Sequence, residues 1–257
     1  MKITQVRNAT IIIEYKENHI LVDPMFANKG ELPRWRYIGS NQRNPLVDLP
    51  QNFASLSDSV THALITHCQK GHADHLDTRG KKFLRDKEIP IFSTFHDEKY
   101  LKKKGLKVTP LKKEGDQFFD GEIQQVQARH VKGFLTPFME HGVGYYITLP
   151  KQPSVYLMGD TILTDTIRDF IKEKQPDYIV APTGVAKFDI GSPLLLPPED
   201  ILELFKISKG KIIANHMDAL DHCRMSREDL TKLLSENDLM NRVVIPNDGE
   251  SVHLEIN

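Results

Sequence analysis

The chain has 257 residues, with Lys plus Arg at 34, Asp plus Glu at 35 and a net charge of −1, a balance that gives no electrostatic reason to expect nucleic acid or an anionic membrane as partner. No apolar run approaches the ~20 residues that cross a bilayer. The two cysteines, Cys68 and Cys223, imply no disulfide framework and the amino terminus has no signal-peptide pattern, so a cytoplasmic protein folded as one domain over residues 1–257 is expected.

In chain order, KITQV (2–6), TIIIEY (10–15) and HILVDP (19–24) read as strands. Residues 25–58 lose periodicity and carry five Pro or Gly residues and the lone tryptophan, Trp35, which reads as a lid or pocket wall or as plain surface packing. THALIT (61–66) is a buried strand, and 77–87 and 96–105 are helices flanking the strand PIFST (90–94). VTPL and then 118–130 suggest strands around an Asp-Gly hairpin, followed by strands at 142–150 and 154–160. Helices at 165–175, 197–208 and 226–237 alternate with strands YIVAP (178–182) and KIIANH (211–216), and RVVIP and SVHLEI close the chain. The last helix opens on a capping-box pattern, Ser226 with Asp229. Lys-rich 102–113 reads as a solvated helix face and turn or, alternatively, as a patch for an anionic ligand.

ALITHCQKGHADHLD (63–77) packs His67, His72, Asp74 and His75 just past a strand end. His130, Asp160 and His216 also follow strands directly. Singly, each is more simply a hydrogen-bonded histidine or a capping aspartate. Together, a His-x-Asp-His cluster and three further ligands at later strand ends have little structural reason without a metal. Imidazole and carboxylate suit zinc, iron or manganese, and seven candidates exceed the needs of one four-coordinate ion. They fit two ions joined by a carboxylate and a water.

His67, HADHLD (72–77), His130, GDT (159–161) and His216 resemble, in order and interval, the ligand motifs of the metallo-β-lactamase fold. RNATIIIEY, HILVDPMF, NPLVDLP and NHMDALDHC resemble the branch holding the L-ascorbate-6-phosphate lactonases and related hydrolases. The resemblance implies an α/β, four-layer αββα sandwich with a dinuclear zinc or manganese site along one edge. It implies that His67, His72 and His130 hold the first metal, Asp74, His75 and His216 the second, and Asp160 bridges them. It also implies a homo-oligomer. Asp23, at another strand end, reads either as a carboxylate orienting a ligand histidine or as a turn-forming Asp-Pro.

The spacing departs from the family's T-H-x-H-x-D-H by three extra residues after His67. Three outcomes are open: the loop bulges at Lys70-Gly71 and His67 still ligates; the register slides and Lys70 takes its place; or Cys68 ligates as a thiolate. The expected chemistry is hydrolysis, by hydroxide formed between the ions, of a small anionic ester, lactone or phosphoester, with Asp74 orienting the hydroxide and passing a proton to the leaving group. Arg43, Lys187, Asp189, Asp218, His222 and Arg224 are candidates for substrate contact, each weighed against surface salt bridging. The alternative is a catalytically degenerate member that binds a ligand or partner.

Overall fold

The computed structural model describes residues 1–38, 41–69, 72–129 and 142–256. The chain opens with an antiparallel meander, β1 (Lys2–Arg7), β2 (Thr10–Tyr15) and β3 (Asn18–Val22). After helix α1 (Phe53–Asp58), β4 (His62–Leu64) joins β3 in parallel. Helix α2 (Thr78–Asp86), β5 (Ile91–Thr94), helix α3 (Phe95–Lys103) and β6 (Val108–Leu111) extend the parallel half. The second sheet repeats this plan. β7 (Asp116–Phe118), β8 (Gly121–Gln127), β9 (Val143–Thr148) and β10 (Val155–Leu157) run antiparallel. Helix α4 (Asp165–Lys174), β11 (Tyr178–Pro182), helix α5 (Pro198–Ile207), β12 (Lys211–Asn215), helix α6 (Arg227–Ser235) and β13 (Val243–Val244) then form its parallel half. The last strand, β14 (Ser251–His253), crosses back to pair with β1.

The period-two pattern builds the layers. Ile11 and Ile13 of β2 point into a core shared with Tyr145, Ile147, Val155, Tyr178 and Val180 of the other sheet. Ile12, between them, faces outward to Leu84 of α2 and Leu101 of α3. Likewise Ile179 and Ala181 of β11 face outward to Ile167, Leu204 and Leu230 on α4, α5 and α6. The central strands of each sheet are therefore buried on both faces, while edge strands such as β7 and β14 stay partly exposed, and the result is the expected αββα sandwich. The capping box at Ser226 and Asp229 forms as the sequence predicts.

Several strands are shorter than the sequence suggests, and two differences bear on the site. The strand expected over 61–66 shortens to His62–Leu64, because Thr66 turns its backbone N–H and hydroxyl to the Asp23 carboxylate. The segment 25–58 is a packed wall holding one short helix. Phe26 meets Phe53 and Phe83 edge to face at 4.7 and 5.2 Å. Buried Arg7 donates to the carbonyls of Val47, Met25 and Ala27 at 3.1, 2.9 and 2.8 Å, which tethers the segment to β1. Among the described residues no helix is long and apolar enough to cross a membrane.

Candidate metal centre

Asp23, the His67–His75 segment, Asp160 and His216 follow the carboxyl ends of β3, β4, β10 and β12, and these ends share one edge of the sandwich. There, Asp74, His75, Asp160 and His216, all buried, each offer one ligand atom, and the four atoms lie within 4.8 Å of one another. His75 Nε2 stands 3.0 Å from Asp160 Oδ2 and 3.6 Å from Asp74 Oδ2. His216 Nε2 is 3.3 and 3.6 Å from the same two oxygens. The local backbone is contorted to make this possible. Asp23 and His216 sit at φ 45° and 60°, in the left-handed region that side chains disfavour. Gly159, at φ 63°, passes so close to β9 that a Cβ there would lie 2.6 Å from the Val143 carbonyl oxygen, so Asp160 can be delivered only by a glycine before it.

The partners of each ring fix its orientation. His75 Nδ1 lies 2.9 Å from Asp23 Oδ2, and that carboxylate also accepts from the Thr66 N–H (2.8 Å) and hydroxyl (2.6 Å). With Nδ1 engaged by Asp23, His75 points Nε2 into the cluster, where a bound cation would take its lone pair in place of a proton. His75 Nε2 is buried and close to two carboxylates, 3.0 Å from Asp160 Oδ2, yet among the described residues it has no well-aligned hydrogen bond. That is the geometry of a donor aimed at a cation between the groups. His216 Nδ1 rests 3.3 Å from Cys223 Sγ, which plays the same orienting part with a thiol.

Charge agrees with this reading. Burial alone would raise the carboxyl groups, but His75 and His216 outweigh it and hold Asp74 and Asp160 well below the usual range. Burial would lower the imidazoles, but Asp160 in particular holds both well above 6.5. Ionised carboxylates facing protonated imidazoles form a cluster suited to a divalent cation, which would take the place of the protons.

His67 and His72 form a second pair beside this group. His67 Nε2 lies 3.1 Å from His72 Nδ1, and the His67 ring stacks obliquely on His75 at 4.0 Å between centroids. His67 therefore reaches His72 from the strand end despite the insertion. Gln69 ties the inserted loop to α3 through the Asp97 carboxylate (2.9 Å). Cys68 packs in the outer core with Leu76 and Leu84, and burial pushes its thiol pKa up, so its surroundings oppose a thiolate ligand. Lys70, Gly71 and His130 lie outside the described residues.

Of the residues expected to meet substrate, His222 comes nearest the cluster. Its ring is 6.2 Å from that of His216, Trp35 meets it edge to face at 4.9 Å, and Phe188 stacks on it at 5.9 Å. Burial lowers its pKa to about 4, so it is neutral, and among the described residues its Nδ1 has no hydrogen-bond partner. Lys187 is half-buried and donates its backbone N–H to the His222 carbonyl. The others have structural partners instead. Arg43, exposed, donates to the carbonyls of Gly30 and Glu31 within the 25–58 wall. Asp189 accepts from the backbone of Tyr37 and Ile38 and pairs with Arg36. Asp218 pairs with Arg227 at the start of α6, not with His222. Arg224 donates to the Phe188 carbonyl. Three residues at the site are not singled out by the sequence: Asn8, Cys223 as a partner of His216, and Asp221, which accepts from the backbone of Trp35 and Arg36 and so seats the wall on the site. Their sequence neighbours give no sign of such contacts, which arise only when distant strand ends meet.

Residues 2–215 match the family model of the beta-lactamase superfamily domain, and the chain belongs to that superfamily as a metal-dependent hydrolase. It is 35% identical to the UPF0173 protein YddR of Bacillus subtilis (strain 168), over 98% of this chain and 99% of that one. It is 25% identical to a metal-dependent hydrolase of Christiangramia forsetii, over 99% of this chain and 100% of the other. Among solved structures, an isothiocyanate hydrolase from Delia radicum gut bacteria superposes with a TM-score of 0.89 at 28% identity, covering 99% of both chains.

Proposed function

We propose that the chain hydrolyses a small substrate at an electrophilic carbon, using two divalent cations, zinc or manganese, held at this edge. The observation that carries the reading is the buried convergence of Asp74, His75, Asp160 and His216 on one point. His67, His72 and His130 would complete the first cation's shell, Asp74, His75 and His216 the second's, and Asp160 would lie between them. Bound cations supply a water that ionises near neutral pH and an electrophile for the substrate's heteroatom. Asp74, kept ionised by its imidazole neighbours, accepts a hydrogen bond from the attacking water and passes the proton to the leaving group.

The walls favour an uncharged, partly apolar substrate over the anionic one expected from the sequence. Trp35 and Phe188 pack on neutral His222, whose ring lies 6.2 Å from that of His216, and the guanidinium groups of Arg36, Arg43 and Arg224 are each engaged by carbonyls or a carboxylate of the protein. An isothiocyanate fits: water adds to its central carbon, the nitrogen takes the protons and leaves as an amine, and carbonyl sulfide departs. Small lactones and esters present the same kind of carbon. Zinc- or manganese-loaded protein, incubated with benzyl isothiocyanate, a small lactone and a phosphodiester, should release benzylamine or open the lactone. Turnover confined to the phosphodiester, or to none of the three, would overturn the reading.

A further inference from the structure

Asn8 occupies the two-residue turn between β1 and β2, at φ 55°. Its carbonyl accepts from the His216 backbone N–H at 3.1 Å and from Gln5 Nε2 at 2.8 Å, so the turn is fastened to the loop that carries His216. Its side chain is fully buried. Nδ2 lies 3.3 Å from His216 Nε2, and Oδ1 has no hydrogen-bond partner. His216 Nε2 is the atom that also faces Asp160 and Asp74, at 3.3 and 3.6 Å.

Those contacts conflict once a cation is bound. A ring nitrogen that gives its lone pair to a metal carries neither a proton nor a free pair for a neighbour. With a cation on Nε2, that nitrogen offers Asn8 Nδ2 no acceptor, and among the described residues both ends of the buried amide stand unengaged beside the reacting groups. Buried amides are seldom left so. We infer that Asn8 is a catalytic residue whose Nδ2 group donates a hydrogen bond to the substrate heteroatom on which negative charge gathers as water adds to the carbon. The inference rests on the hydrolase reading above. The turn is well suited to this role, because a donor held on a strand-to-strand turn needs no rearrangement as charge develops.

Two variants test it. Asn8→Gly keeps the left-handed backbone and the carbonyl bonds but removes the amide. Asn8→Asp keeps the shape and replaces the donor with a charged acceptor. Both should fold, by circular dichroism and melting temperature, and bind wild-type amounts of zinc by elemental analysis. With benzyl isothiocyanate, kcat of Asn8→Gly should fall about 100-fold with KM changed less than threefold. A nitrogen-15 spectrum of the wild type gives a readout apart from turnover. The Asn8 side-chain signals, identified by their loss in Asn8→Asp, should move on zinc loading. They should move again when O-methyl N-benzylthiocarbamate, a stable mimic of the adduct, is added. A kcat within threefold of wild type, a loss explained by missing zinc, or signals unmoved by the thiocarbamate would overturn the assignment. If the zinc-loaded wild type turns over no substrate, the hydrolase reading fails and the assignment of Asn8 falls with it; wild-type turnover with Asn8 signals unmoved by the thiocarbamate overturns the assignment alone.

Discussion

Replacing Asp23 by Asn removes a negative charge that touches no proposed metal ligand except His75. The carboxylate accepts three hydrogen bonds, at 2.8 Å from the Thr66 N–H, 2.6 Å from its hydroxyl and 2.9 Å from His75 Nδ1. An asparagine can keep its carbonyl oxygen on the Thr66 N–H. Its amide nitrogen then faces the Thr66 hydroxyl and His75 Nδ1, two groups that had been donating. The imidazole can relieve the clash by moving its proton to Nε2, which takes the lone pair out of the cluster. Each charge-assisted bond is worth about 1.5–3 kcal/mol, and rotation of the Thr66 hydroxyl recovers part of the loss. Positioning partners of this kind typically carry about 10–100-fold in metal affinity, which is about 1.4–2.8 kcal/mol. Competition against a coloured chelator should therefore show one zinc equivalent weakened by about that factor in Asp23→Asn, with the circular dichroism spectrum unchanged. Affinity within threefold of wild type would refute the claim that Asp23 sets the orientation of His75.

Three further outcomes are expected. Because Asp160 holds His75 and His216 protonated near neutral pH, zinc must displace both protons. Affinity should then rise with pH by up to about a hundredfold per unit until the raised pKa values are passed, and level off above them; calorimetry in buffers of different ionisation enthalpy should detect the released protons. Arg7→Met leaves the carbonyls of Met25, Ala27 and Val47 without their donor and should cost about 3 kcal/mol, lowering the melting temperature by about 6–12 °C. Trp35→Ala strips one wall from His222 and should raise KM for an aromatic isothiocyanate about tenfold while leaving zinc content unchanged.

The strands that build the site are legible because their local chemistry agrees with their burial. TIIIEY and YIVAP coincide with β2 and β11 residue for residue, since β-branched side chains fill both faces of a sheet covered on both sides. The cluster of Asp74, His75, Asp160 and His216 is legible because its members lie just past strand ends. The rest depends on contacts between segments far apart in the chain. Asn8 meets His216 across 208 positions, and Asn44 donates to Asp221 across 177. Asp189 and Arg43 read as substrate groups because charge near a site attracts that interpretation, yet an irregular wall such as 25–58 needs donors and acceptors for its own backbone, and those residues supply them. Helix α1 is not legible because FASLSD is six residues long and offers only Phe53 and Leu56, both half-buried, too few to set a helical period.

The central claim is that the imidazoles and carboxylates at the sandwich edge converge to hold cations. Crystals grown with zinc and measured on either side of the zinc absorption edge test it directly. Anomalous peaks are expected within coordination distance of Nε2 of His75 and His216 and of the carboxylates of Asp74 and Asp160. A well-ordered site with no peak among these atoms, or zinc bound only elsewhere on the surface, would contradict it.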